Sequence, residues 1–380
     1  MNLRRWMTSL GPPLLAALAV LVLVGPTFAK PMRLRATSDA SLPAAEPPAC
    51  RAVRGKPAAE QGGVAWYRLD PVLTAEGRLD GQRLVVGQVG GRAELRMTLG
   101  VESFAFGPSR GRVLVGNDDG RRSTMWTLDA GRRCAITIHV GQDLIRRAVF
   151  DPSGAGIVEF RLARSSRTDL GVWRRPADGS EPQRLLDPLP PNGRIGRVFA
   201  TQLSWSAEGT RLVVTSCGES SCLVRVLDRA SGRLTTIDDP RVGEVLGLVG
   251  DDLVAYGGCP ALPCEIVAME VRTGRVRVIA PLAGLAALAV ADGRAVVAFE
   301  DYRTEGRVRV VGLDGTAMRS LPLGDGLRLI PGPDRALAAI ELPAGTIALA
   351  EDGRPSRGEA STVFINLADG RRMSTTEIAR

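Results

Sequence analysis

The chain has 380 residues and a formal charge of +8; 44% of its residues are hydrophobic and only 4% aromatic. That hydrophobic share can build a core, whereas so few aromatics argue against stacking platforms for single-stranded nucleic acid or sugars. The charge does not mark a nucleic-acid binder either. Residues 1–63 carry eight basic and three acidic residues, and the remaining +3 comes from arginines scattered among Asp and Glu, which read as a solvated mixed surface.

Taken in order, the chain begins with an export signal over residues 1–29. Arg4 and Arg5 precede an apolar run, followed by Gly25-Pro26 and by Thr27-Phe28-Ala29, whose small first and third residues suit a signal peptidase. If uncleaved, residues 10–29 would serve as an inner-membrane anchor; either way the rest of the chain is expected outside the cytoplasm, periplasmic or extracellular. Residues 30–63 are rich in Pro and Ala without a sustained period and read as an extended tether.

From residue 64 to 380 one figure recurs: an apolar strand, a tight turn holding a glycine, and a second apolar strand. It turns at Gly90-Gly91, Gly131, Gly179, Gly232, Gly274, Gly315 and Gly370, at intervals of 40 to 55 residues. Each later unit has two further strands ahead of this hairpin, such as Leu203-Ser-Trp and Arg211-Leu-Val-Val; the last has Arg335-Ala-Leu-Ala-Ala-Ile as its second strand. Seven four-stranded antiparallel units with no helical period predict an all-β, seven-bladed β-propeller. The first unit matches least well, and six blades result if its strands complete the last blade.

Six cysteines follow the signal. Cys217 and Cys222, and Cys259 and Cys264, share one spacing at the turn between second and third strands, where facing residues lie within disulfide reach. Two such pairs could also make a four-sulfur zinc site, but an exported chain favours oxidation. Cys50 and Cys134 remain and are paired by elimination, fastening the tether to the second unit.

The segments FDPSGAGIVEF and LSWSAEGTRLVV resemble the repeat units of TolB-type (PD40, WD40-like) propellers of bacterial envelopes. The resemblance covers most of residues 101–372, although Asp-Gly is replaced in several turns and the globular domain that precedes the propeller in TolB proper is missing. It implies a non-enzymatic envelope scaffold that docks other proteins, and it carries over no contact residue.

Candidate chemistry is sparse. Gly107-Pro108-Ser109-Arg110-Gly111 matches a nucleophile-elbow pattern but falls between two strands, where a turn is expected. His139 is the single histidine, at the end of a fourth strand, which rules out multi-histidine metal sites. Asn117-Asp118-Asp119-Gly120, Asp238-Asp239 and Asp251-Asp252 could attract calcium but lack a known loop spacing and read as turn formers. Trp126, Trp173 and Trp205 are expected to pack against neighbouring blades. The reading is therefore a module without catalytic, cofactor or metal residues. Its longer loops, 161–170 and 185–198, would meet an envelope protein or cell-wall polymer and not nucleic acid. The alternative is a lyase, lactonase or cyclase acting over the central channel on a glycan or small molecule.

Overall fold

A computed structural model describes residues 48–50 and, with short interruptions, residues 65–373, all within one unit spanning Leu42–Arg380. The expected signal and nearly all of the expected tether lie outside the described residues. So do Gly90, Gly91, Gly131, Gly179 and Cys259.

The described strands form antiparallel sheets, each pairing its strands in chain order. The first holds β1 (Ala65–Leu73), β2 (Leu79–Gln88) and β3 (Leu95–Leu99). The second holds β4 (Phe104–Ser109), β5 (Arg112–Asp118), β6 (Ser123–Asp129) and β7 (Cys134–Gly141). The third comprises β8 (Leu144–Phe150), β9 (Gly156–Leu162), β10 (Asp169–Pro176) and β11 (Gln183–Leu186). The fourth comprises β12 (Ala200–Trp205), β13 (Arg211–Cys217), β14 (Cys222–Asp228) and β15 (Leu234–Ile237). The fifth has seven strands: β16 (Val245–Val249), β17 (Asp252–Tyr256), β18 (Cys264–Glu270), β19 (Val276–Ala291), β20 (Arg294–Asp301), β21 (Arg307–Gly312) and β22 (Ala317–Pro322). The sixth holds β23 (Leu327–Leu329), β24 (Thr346–Glu351), β25 (Thr362–Asn366) and β26 (Arg372–Met373).

Each sheet packs face to face on the next. Side chains along a strand alternate between faces, so Val113 and Val115 of β5 pack with Leu84, Val86 and Met97 of the first sheet, while Leu114 between them packs with Ile145 and Ile157 of the third. Phe160 and Leu162 meet Leu203 and Val214, and Val213 and Val226 meet Leu253 and Val267. Burial on both faces explains why the second strands read as unbroken apolar runs. Sheets of this kind stacked in chain order make a β-propeller.

The seven-stranded sheet arises where the fourth strand of one unit should loop out and return as the first strand of the next. The segment 276–291 offers no polar loop, and β19 runs as one strand from Val276 to Ala291. Its early part, Val276–Ala283, pairs with β18 and Ala283–Ala291 pairs with β20, with the backbone turning at Leu282, φ 52°.

Two sheets differ from the repeat pattern. Among the described residues the first sheet has three strands, of which residues 65–73 and 79–88 form two long ones. In the last sheet the second strand is Thr346–Glu351, which pairs with both β23 and β25; the expected Arg335–Ile340 lies outside the described residues.

The hairpins between third and fourth strands at Gly232 and Gly274 share one turn. Gly232 N donates to Asp228 O, and Gly274 N donates to Glu270 O, at 2.9 and 2.8 Å. Both glycines have positive φ, 69° and 72°, a conformation that a side chain resists.

Candidate binding face

In each sheet the turn between second and third strands and the connection from the fourth strand onward open at the same end, since neighbouring strands run antiparallel. This end gathers both long loops foreseen from the sequence. Arg167 O accepts from Val198 N at 3.1 Å, which joins loop 163–168 to connection 187–199. Phe199 N then donates to Cys217 O at 2.9 Å, bringing that connection onto the hairpin closed by the Cys217–Cys222 disulfide. These two cysteines are direct cross-strand partners. Further along, Gln202 accepts from Val245 N and donates to Glu244, and Tyr256 Oη accepts from Ala286 N at 2.8 Å.

Phe199, Leu282 and Tyr302 are among the large apolar side chains exposed at this end. The Arg197 guanidinium lies 5.6 Å from the Phe199 ring centroid, within cation–π range. Tyr302 N donates to Leu282 O at 3.4 Å, so the last two are neighbours.

The carboxylates here are held by arginines. Asp118 takes Arg164 from the next sheet at 2.6 Å and also accepts from Ser123 Oγ and Gly120 N. Asp169 takes Arg225 of β14 at 2.9 Å, and burial holds the Arg225 guanidinium below its usual basicity despite that carboxylate. Asp301 accepts from Arg303 and Arg309, and their hydrogen bonds bring its carboxyl down to about 2. Glu300, which accepts from Leu329 N and pairs with Arg328 of the last sheet, is pushed up by burial.

The arginines expected to form a plain solvated surface thus include pins between sheets; Asp151–Arg229 and Asp251–Arg211 are further examples. Periodicity cannot reveal this. The only signal was Asp or Glu near a strand end in one unit and Arg in the next.

The other singled-out residues are spread around the fold. Ser109 ends β4 and is the ladder partner of Arg112, so it sits between two strands and not on a strand-to-helix elbow. Asp119 accepts from Arg121 N and Arg122 N, and Asp239 and Asp252 pair with Arg241 and Arg277. No group of three or more His, Cys, Asp or Glu among the described residues could hold a metal ion. Trp126 is buried against the first sheet, and Trp205 donates to Phe150 O of the preceding sheet at 2.9 Å. The Trp173 ring lies under Arg161 and Arg184 of its own sheet, at 4.6 and 5.7 Å.

Cys50 and Cys134 are bonded, and residue 49 forms a parallel bridge to Ala135 at the start of β7. Cys264 is disulfide-bonded as well; its partner lies outside the described residues. No helix among the described residues is long and apolar enough to cross a membrane.

No family model and no curated protein matches the sequence. Solved structures do resemble it. A prolyl endopeptidase matches with a TM-score of 0.51 at 13% identity, over 83% of this chain and 50% of that one. The β-propeller domain of the trilobed protease from Pyrococcus furiosus matches at 0.49 and 10%, over 83% and 92%. TolB from Acinetobacter baumannii matches at 0.41 and 13%, over 70% and 64%. The chain therefore spans half the length of the endopeptidase it matches. At such identities the likeness is one of fold alone; the sheets stacked in chain order are themselves those of a β-propeller.

Proposed function

We propose that the chain is an exported, non-enzymatic protein-binding module whose partner meets the loop face bearing Phe199, Leu282 and Tyr302. The observation that carries this reading is the pairing of exposed apolar groups with rigid support. Backbone hydrogen bonds join the loops beneath Phe199 and a disulfide closes the adjoining hairpin, so little conformational entropy is lost on docking. Disulfides also support an oxidising compartment. Asp118, Asp169 and Asp301 are committed to arginines, which suits a structural role better than proton transfer.

A photo-crosslinking residue placed at 199 or 302 should capture one envelope protein, while one placed at 234 or 318 on outer strands should not. Equal capture from all four positions would refute the face assignment. Turnover of a glycan or lactone by the purified protein would refute the non-enzymatic reading.

A further inference from the structure

Between the second and third sheets lies a polar cluster that the binding face does not use. His139, near the end of β7, is half-buried, and its Nδ1 lies 3.0 Å from NH2 of Arg175 on β10. A guanidinium only donates, so Nδ1 accepts and the proton of the neutral ring sits on Nε2. The same Arg175 NH2 donates to Glu159 Oε1 of β9 at 3.1 Å, and Arg161 donates to that oxygen from both Nε and NH2. Glu159 is fully buried. His139 Nε2, Glu159 Oε2 and Arg175 Nε are enclosed and meet no hydrogen-bond partner among the described residues. Asp143, in the turn after β7, is the remaining charge acting on the ring.

We infer that His139 is an acid-sensitive latch holding the edge strand β7 against the third sheet. In the neutral state the imidazole accepts from Arg175 and seats the strand. Uptake of a proton at Nδ1 removes that acceptor and sets a third cation beside Arg161 and Arg175, with Glu159 the single buried carboxylate among them. The imidazolium and the Arg175 guanidinium then repel, and the end of β7 lifts. Burial, followed by the two arginines, already holds the ring below its ordinary value of 6.5 against the pull of Glu159 and Asp143. β7 is also the strand to which residues 48–50 are tied, through Cys50–Cys134 and through the backbone bonds Cys50 N to Ala135 O and Ala135 N to Pro48 O. The latch thus controls the seat of the strand that receives the chain from its N-terminal side.

Because the chain has one histidine, its imidazole Cε1–H gives a single NMR signal. In the intact protein that signal should titrate below 6.5, and Arg175→Met should raise the midpoint. Amide exchange along β7, corrected for intrinsic rates, should be about tenfold faster at about pH 5 than at about pH 7.5. His139→Asn, which keeps an acceptor but takes up no proton, should abolish that difference. A wild-type midpoint at or above 6.5, or acid-accelerated exchange that survives in His139→Asn, would overturn the latch. Should His139→Asn fold poorly, the midpoint shift in Arg175→Met decides alone.

Discussion

Arg225 on β14 places its guanidinium 2.9 Å from the Asp169 carboxylate on β10, and both side chains are almost wholly enclosed between the third and fourth sheets. Their supports are unequal. Asp169 also accepts from Gly171 N and Leu189 N, whereas Arg225 has one other acceptor, Asp187 O, and its Nε has no partner among the described residues. Asp169→Ala therefore strands a buried cation, and should destabilise by about 3–5 kcal/mol. Arg225→Met leaves an anion with two backbone donors and should cost clearly less. Urea unfolding of both variants measures the difference.

The two resolved disulfides close loops of very different size, with sequence separations of 84 and 5. Chain entropy assigns them about 4–5 and about 2 kcal/mol, respectively. Cys134→Ser should consequently lower the thermal midpoint more than Cys222→Ser, and calorimetry in the absence of reductant reads the order directly.

Asp301 offers a pH test. Its carboxyl is brought to about 2 chiefly by Arg303, so the folded state binds a proton less readily than the unfolded chain. Its contribution is complete above the ordinary value of 3.8 and is lost as pH falls through about 2. With Arg303 and Arg309 open to water, we expect about 1 kcal/mol. Asp301→Asn should flatten the wild-type stability curve between about pH 4 and pH 2.

Two glycines should respond differently to alanine. At Gly232 a Cβ would meet open space, leaving only the cost of positive φ, about 1 kcal/mol. At Gly171 it would lie 2.5 Å from the Leu186 backbone oxygen, which cannot swing aside. Gly171→Ala should cost several-fold more, and denaturant midpoints of the pair check this.

The hairpins, the strand-rich repeat and the proximity of Cys217 to Cys222 were legible because they rest on local chemistry: a turn glycine, an apolar run, a fixed spacing. The merging of two units through β19 was not, since nothing in the apolar run 276–291 marks where one ladder ends and the next begins. Nor was the buried Glu159 cluster, whose members come from three strands in two sheets. Exposure of Phe199 and Tyr302 depends on which strand ends converge, information that no single segment contains.

β19 has a mechanical consequence. Elsewhere one sheet ends and the next begins on separate strands. Across residues 276–291 one continuous ribbon belongs to both ladders, so a torque on β16–β18 reaches β20–β22 without slack. Leu282 marks the fulcrum of that lever, at the end of the fold where Tyr302 is exposed.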